Sequence, residues 1–157
     1  MVPVLEIDAS TGVRILLVED DPGDVFLTRE ALVEGKLVHT LQVISDGEEA
    51  LTFLTGDVVN GQAPRPDLII LDLNLPRVSG HEILARLQRD TALDDIPCVV
   101  LTTSRAEIDV LRSYRLRANA YITKPVDLHT LADAIRQLDG LYFLVVRQPS
   151  PGVAVSV

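Results

Sequence analysis

Four short stretches of the sequence carry side chains that could hold a metal ion and a phosphoryl group together. They are Glu19-Asp20-Asp21, Asp72, Thr102-Thr103 and Lys124. Carboxylates that lie close to one another repel, so their pKa values would rise unless a cation neutralised them. Mg²⁺ suits such a site because it prefers oxygen ligands, keeps several waters and accepts phosphate oxygens.

The chemistry that these side chains would support is the transfer of a phosphoryl group to a carboxylate. With a divalent cation bound, Asp72 could act as an oxygen nucleophile and form an aspartyl phosphate. Lys124 and Thr102 could then bind the equatorial oxygens of the phosphoryl group, where negative charge gathers in the transition state. Each residue alone has an ordinary explanation, since Asp72 could be a turn residue and Lys124 a solvated lysine. The inference therefore depends on their occurring together.

The predicted secondary structure places these stretches at corresponding positions. Short apolar runs predict five buried strands, at residues 13–18, 41–44, 68–71, 97–101 and 120–122. A helical pattern follows each strand, and this alternation implies a doubly wound α/β fold with a five-stranded parallel sheet covered on both faces. Because ligands bind beyond the carboxyl ends of the strands in such a sheet, the four stretches should converge there.

Cap residues predict where several helices begin and end. The expected N-cap residues are Asp21 (before Pro22), Asp46, Ser104 and Asp127. Ser104 is followed three residues later by Glu107, the spacing of a capping box. At the other end, Gly35 and Gly56 should stop the first two helices.

Composition limits the classes of protein to which the chain can belong. Its 157 residues, 47% of them apolar, fit one folded domain. The net charge of −9 argues against a DNA-binding or polybasic membrane-binding protein, because both need clustered Lys and Arg. No signal peptide or membrane-spanning stretch is recognisable, so a cytoplasmic location is expected. The one cysteine, Cys98, lies in a predicted strand and should be a buried hydrophobic residue.

Four motifs of the chain resemble those of response-regulator receiver domains. They are Val18–Asp21, Leu71–Pro76, Leu101–Ser104 and Tyr121–Pro125, in that order within residues 13–140. The resemblance implies the (βα)5 flavodoxin-like receiver fold. It also implies a phosphoacceptor of a two-component phosphorelay, which receives a phosphoryl group from a sensor histidine kinase and signals by a change of conformation. Such a domain is not an enzyme, although it assists its own phosphorylation and dephosphorylation.

The same resemblance implies roles for individual residues of the site. Asp72 would be the phosphorylated residue. The metal ion, Mg²⁺ or Mn²⁺, would be bound directly by Asp20 and Asp72, through water by Glu19, and by the backbone carbonyl of Asn74. Lys124 would pair with the phosphoryl oxygens.

Two further residues would carry the signal away from the site. Thr102 is similar to the family's switch hydroxyl, and Tyr121 to the aromatic residue that turns inward when that hydroxyl moves. Thr103 would lie beside the phosphoryl group, where the family more often has a smaller residue. This departure leaves the rate of dephosphorylation open.

A closer resemblance connects the chain with the small regulators partnered with bacterial phytochrome kinases. It is carried by Glu19–Asp24, Pro64–Pro66 and Leu101–Ser104. It implies a bacteriophytochrome histidine kinase as the partner. No output domain is recognisable after the last predicted helix, so the signal is expected to leave through protein contacts or by onward relay of the phosphoryl group.

The predicted organisation is a lead-in at 1–12, the receiver domain at 13–140 and an extension at 141–157. The run Leu141–Val146 is apolar on every side, which is more than one helix face can bury. We therefore expect a homodimer that packs through the 104–117 helix and the last helix with its 141–146 extension. The alternative is that the run folds back onto the core of its own domain.

Other functions fit the residues less well. A haloacid-dehalogenase-type phosphatase needs a second aspartate two residues after the nucleophile, where this chain has Asn74, which cannot transfer a proton. A nucleotide-binding switch needs a Gly-rich loop that ends in Gly-Lys-Ser/Thr, which the sequence lacks. The alternative that stays open is a receiver-like protein-interaction module that is not phosphorylated.

Overall fold

Strands and helices alternate along the part of the chain that the structure, a computed structural model, describes, which is residues 12–116 and 118–138. The strands are β1 (Val13–Val18), β2 (His39–Ile44), β3 (Leu68–Asp72), β4 (Cys98–Thr102) and β5 (Ala120–Thr123). The α-helices are α1 (Pro22–Glu34), α2 (Gly47–Thr52), α3 (Gly80–Arg89), α4 (Arg105–Ser113) and α5 (Leu128–Arg136). The five predicted strand–helix units are confirmed. The predicted lead-in, apart from residue 12, and the predicted extension lie outside the described residues.

All five strands are parallel and form one sheet in the order β2-β1-β3-β4-β5. The chain runs from β1 outward to β2 and then crosses to β3 on the other side of β1. This reversal creates a switch point between the carboxyl ends of β1 and β3, which is where doubly wound sheets bind their ligands. The predicted flavodoxin-like fold is confirmed.

Two apolar layers cover the sheet, and alternate strand residues belong to different layers. Leu16 and Val18 pack in the layer under α2, α3 and α4, whereas Ile15 and Leu17 pack in the layer under α1 and α5. Successive side chains of a strand point to opposite faces, and each buried leucine contributes about 1.5–3 kcal/mol. The position of a residue along its strand therefore decides on which side of the sheet its side chain lies.

Three predicted helix caps are formed. The side chains of Asp21, Asp46 and Asp127 each accept a hydrogen bond from a backbone N–H in the first turn of α1, α2 and α5. Gly35 ends α1, as expected. None of the helices in the described ranges is both long enough and apolar enough to cross a bilayer.

Gly56 does not stop the second helix, contrary to the prediction. The chain continues from α2 into a π-helical segment, Phe53–Val58, and Gly56 lies inside it. Leu54 and Val58 of this segment are both buried. Their burial outweighs the conformational cost of one glycine, because tertiary packing contributes more to helix stability than local propensity does.

The capping box predicted at the start of α4 is not formed either. Ser104 is the N-cap residue, but its side chain makes no capping hydrogen bond. The Glu107 carboxylate instead accepts hydrogen bonds from Thr102 and Thr103, which precede the N-cap. A carboxylate in the first turn can reach donors before the N-cap as well as the N-cap N–H, and sequence spacing does not distinguish the two arrangements.

Cys98 is only 4% exposed, and burial raises the pKa of its thiol to about 12. A thiol with a raised pKa is a poor nucleophile, because the thiolate is the reactive form. The expectation that Cys98 is a buried hydrophobic residue is confirmed.

Candidate functional site

The acidic residues after β1 and β3 converge at the switch point. Val18 pairs with Leu71 in the sheet, so the next residues, Glu19 and Asp72, follow at the same edge. Carboxylate oxygens of Glu19, Asp20 and Asp72 lie within 4.8 Å of one another. Glu19 and Asp72 are buried, and Asp20 is exposed. The convergence expected from the strand ends is therefore present.

The crowding of carboxylates affects the ionisation of Glu19. Burial, together with the charge of Asp72, raises the pKa of Glu19 from 4.5 to about 7. A backbone hydrogen bond from Asp21 at 3.0 Å and the nearby Lys124 ammonium oppose this rise without cancelling it. Glu19 therefore holds its proton to a higher pH than a solvated glutamate does.

Glu19 also provides a test of whether the cluster fits a metal ion. Its Oε2 atom is fully buried and makes no hydrogen bond, although Lys124 Nζ lies 3.0 Å away as an ion-pair partner. A buried acceptor without a donor is costly, and a metal-bound water would supply the missing hydrogen bond. The donor set consists only of oxygens, as hard cations require. The residues therefore fit a divalent cation.

Lys124 places its ammonium among three carboxylates. Its Nζ lies 2.8 Å from Asp24 Oδ2, 3.0 Å from Glu19 Oε2 and 3.3 Å from Asp72 Oδ1. Burial acts to lower the pKa of Lys124, but the hydrogen bond with Asp24 and the negative charges of Glu19 and Asp72 outweigh it and raise the pKa. Lys124 therefore carries a permanent positive charge at the site. It is the residue that follows β5, which ends at Thr123.

Asp24 is a member of this cluster that the sequence reasoning did not identify. It lies in the first turn of α1 and makes the shortest of the three contacts with Lys124. The signal that could have found it is its place in the first turn of α1, a few residues after the Glu19–Asp21 run that follows β1.

Asn74 lies beside Asp72 in the loop after β3. Its backbone N–H donates a 3.1 Å hydrogen bond to Asp72 Oδ1. This bond orients the Asp72 carboxylate toward the loop.

The Thr102 hydroxyl points toward the layer of the core under α4. In β4, Val100 packs under α4 and Leu101 packs under α5, so alternation directs Thr102 toward α4. Its Oγ1 lies 2.6 Å from Glu107 Oε1 and 2.9 Å from the Ser104 carbonyl. Among the described residues, the Thr102 hydroxyl has no hydrogen bond with Asp72 or Lys124, although the Lys124 backbone N–H donates a 2.8 Å hydrogen bond to the Thr102 carbonyl.

Tyr121 lies on the same side of the sheet as Thr102. It is half-buried against the layer under α2, α3 and α4. Its hydroxyl accepts a 3.2 Å hydrogen bond from the Ala118 N–H, and the Arg112 guanidinium lies 5.6 Å from the centre of its ring. The structure thus brings Thr102 and Tyr121 to the face of the sheet that α4 covers.

Glu107 is the second residue whose role the sequence reasoning missed. Its Oε1 atom accepts hydrogen bonds from Thr102 Oγ1 (2.6 Å), Thr103 Oγ1 (2.8 Å) and Thr103 N (2.9 Å). Burial acts to raise the pKa of Glu107, but these hydrogen bonds lower it below its usual value. The side chain is therefore an ionised acceptor that holds the loop between β4 and α4.

Comparison with known proteins agrees with this fold and site. The response regulator receiver domain model matches residues 15–136. Response regulator Rcp1 of Synechocystis sp. is 40% identical over 136 residues, which is 87% of this chain and 92% of Rcp1. The solved bacteriophytochrome response regulator RtBRR is 43% identical with a TM-score of 0.76, over 90% of this chain and 86% of that one. The Mn²⁺-bound form of Rcp1 is 38% identical with a TM-score of 0.64, over 92% and 99%.

The chain belongs to the response regulator receiver family. It is a phosphoacceptor regulator of two-component signalling, a class of protein whose partners are histidine kinases. The predicted family, and the likeness to the small regulators of bacterial phytochromes, are confirmed.

Proposed function

We propose that this protein accepts a phosphoryl group on the Asp72 carboxylate from the phosphohistidine of a sensor histidine kinase. The observation that carries the proposal is that Asp72, buried at the switch point, lies within 4.8 Å of two other carboxylates and 3.3 Å from the Lys124 ammonium. Oxygen ligands for a cation and a fixed positive charge for phosphoryl oxygens thus surround one nucleophilic carboxylate.

The cation that we propose is Mg²⁺, with Mn²⁺ as a substitute. Asp20 and Asp72 would bind it directly, Glu19 would bind it through water, and Asn74 would offer its backbone carbonyl. The cation would neutralise charge on the carboxylates and on the incoming phosphoryl oxygens. The buried Glu19 Oε2 without a hydrogen-bond donor supports this arrangement.

The residues of the chain would carry out the transfer as follows. A carboxylate oxygen of Asp72 forms a bond to phosphorus while the bond from phosphorus to the histidine nitrogen breaks, and the imidazole keeps the electron pair. Lys124 exchanges part of its contact with Asp72 and Glu19 for the phosphoryl oxygens. Attack of water on the aspartyl phosphate would later restore Asp72, so the domain would assist its own dephosphorylation.

The signal would travel from Asp72 to Thr102 and Tyr121. Thr102 is the residue of β4 that lies at the same edge of the sheet, and it would turn its hydroxyl toward the phosphoryl group. Its present contacts with Ser104 and Glu107 would then change, and Tyr121 would move inward on the same face.

The kinase that we propose is a bacteriophytochrome. The names of the similar proteins support this, since they include a bacteriophytochrome response regulator and a phosphorylated cyanobacterial phytochrome response regulator at 43% and 40% identity.

We further propose that residues 13–140 form the receiver domain and that it dimerises through the 104–117 helix and the last helix with its 141–146 extension. Val110 and Tyr114, at the end of α4, are 45% and 73% exposed. Light scattering after size exclusion, on the full chain and on a chain that ends at Gly140, tests this. Two monomeric masses would refute the dimer.

The function itself is tested by incubation with acetyl phosphate and Mg²⁺, followed by intact-mass measurement. We expect the parent to gain the mass of one phosphoryl group, and the Asp72→Asn variant and a sample treated with EDTA to gain none. If the parent gains no mass, the protein is an interaction module that is not phosphorylated.

A further inference from the structure

Glu107 makes a contact that the phosphotransfer chemistry does not require. It lies in the first turn of α4, and its Oε1 atom accepts three hydrogen bonds from Thr102 and Thr103. The shortest of them, 2.6 Å, comes from the Thr102 hydroxyl. Hydrogen bonds to an ionised acceptor are short and roughly twice as strong as neutral ones.

A threonine hydroxyl has only one proton to donate. Thr102 can therefore donate to Glu107 at 2.6 Å, to the Ser104 carbonyl at 2.9 Å, or to an oxygen of a phosphoryl group on Asp72, but to only one of them at once. Because Thr102 is fully buried, water cannot accept its hydrogen bond while the hydroxyl changes from one partner to the other. The hydrogen bonds of Thr102 to Glu107 and to the phosphoryl group are mutually exclusive. A stronger bond to Glu107 therefore opposes the bond to the phosphoryl group more.

Glu107 would not be left unpaired if Thr102 turned away. Thr103 continues to donate both its backbone N–H, at 2.9 Å, and its hydroxyl, at 2.8 Å, to the same oxygen. A buried or half-buried carboxylate that loses all its donors carries a large cost, and these two donors avoid it. The Glu107 carboxylate therefore keeps hydrogen-bond donors in both positions of the Thr102 hydroxyl.

We propose that Glu107 is a positioning residue that holds the Thr102 hydroxyl toward α4 in the unphosphorylated protein and so sets how readily the switch responds to phosphorylation. The proposal rests on the proposed function, since it needs Asp72 to be the phosphoacceptor. A ligand shifts such an equilibrium only by its difference in affinity for the two states, so weakening the Glu107 contact should increase the apparent affinity of the active-state ligand.

The test uses beryllofluoride with Mg²⁺ as a phosphoryl analogue on the full chain, with its dissociation constant measured by ¹⁹F NMR. We expect Glu107→Ala to bind beryllofluoride at least about fivefold more tightly than the parent, the lower end of ordinary coupling between sites. Glu107→Gln keeps an acceptor oxygen without its charge, so its affinity should lie between the two.

Two controls separate a positioning role from a general effect on the fold. Glu82 lies in the first turn of α3, three residues after the N-cap, as Glu107 does in α4, and it is exposed. Glu82→Gln should therefore bind beryllofluoride as tightly as the parent does. In a Thr102→Val background, Glu107→Ala should change the affinity no further, because the competing hydroxyl is gone. Urea unfolding of each variant should show Glu107→Ala to be less stable than the parent although it binds more tightly.

The outcomes are distinct. Equal or weaker binding by Glu107→Ala would overturn the proposal, and so would a gain in affinity that persists in the Thr102→Val background. If the parent itself does not bind beryllofluoride, the proposed function fails and the role of Glu107 falls with it.

Discussion

Lys124 lies closer to Asp24 than to Asp72, the carboxylate that we propose as the phosphoacceptor. Its Nζ is 2.8 Å from Asp24 Oδ2 and 3.3 Å from Asp72 Oδ1. Asp24 is on α1, 100 residues away in the sequence. The Lys124 ammonium therefore already donates a hydrogen bond to a carboxylate of α1. A phosphoryl group on Asp72 would have to compete with Asp24 for this ammonium.

The first prediction concerns this competition. Asp24→Asn removes the charge that binds Lys124 and leaves the ammonium more available to phosphoryl oxygens. We expect beryllofluoride to bind about two- to fivefold more tightly, since one partly buried ion pair is weakened rather than lost. The measurement is a ¹⁹F NMR titration, with Glu30→Gln, an exposed carboxylate of the same helix, as the control. An affinity below that of the parent would show that Asp24 instead orients Lys124 productively.

The second prediction concerns pH and Glu19. Its pKa is raised from 4.5 to about 7, so between these values the folded state holds a proton that the unfolded state has released. The unfolding free energy should therefore fall as pH rises through this window, and the loss is complete above the folded pKa. Glu19→Gln, which does not titrate, should lose less stability than the parent between about pH 5 and about pH 8.

Urea unfolding in EDTA at several pH values checks this expectation, and saturating Mg²⁺ should reduce the difference because a cation favours the ionised carboxylate. Parallel pH dependences of the parent and Glu19→Gln would contradict it.

The third prediction concerns the cation. A ligand that binds only the folded state stabilises it by about 2.7 kcal/mol at a hundred times its dissociation constant. Mg²⁺ or Mn²⁺ should therefore raise the Tm of the parent, and Asp20→Asn should abolish most of the rise because it removes an oxygen of the cluster. Asp21→Asn is the matched control, since asparagine still caps α1 and Asp21 is not part of the cluster. Equal Tm increases in the two variants would argue against Asp20 as a ligand.

The fourth prediction concerns Gly80, which lets α3 approach the phosphoacceptor strand. A Cβ atom at this position would lie 2.3 Å from the backbone oxygen of Asp72 and 2.6 Å from Leu73 Cα. Gly80→Ala should therefore destabilise the protein by about 1–3 kcal/mol, the usual range for overpacking, and weaken beryllofluoride binding as Asp72 shifts. Gly56→Ala meets nothing within 4 Å and should leave the unfolding free energy unchanged or slightly higher. Urea unfolding of the two variants decides whether close approach at Gly80 matters.

Much of the fold could be predicted because its signals are local. Apolar runs such as Leu68–Leu71 and caps such as Asp127 act over a few residues, so their elements are confirmed with small changes at the ends. The prediction that Gly56 ends a helix was wrong. The burial of Leu54 and Val58, which depends on the rest of the chain, outweighs the low helix propensity of this glycine.

The sequence by itself determined which of the residues that follow the strands gather at the site. Parallel strands have all their carboxyl ends at one edge, so acidic residues after β1 and β3 and the lysine after β5 had to meet once the strands were identified.

Only the tertiary structure decided how those side chains are paired. The contacts of Lys124 with Asp24 and of Thr102 with Glu107 depend on which way each side chain points and on how α1 and α4 are seated against the sheet. Spacing along the chain identifies the element on which a residue lies. It does not tell which of several acceptors within reach receives the hydrogen bond, because that choice is made by packing across distant parts of the chain.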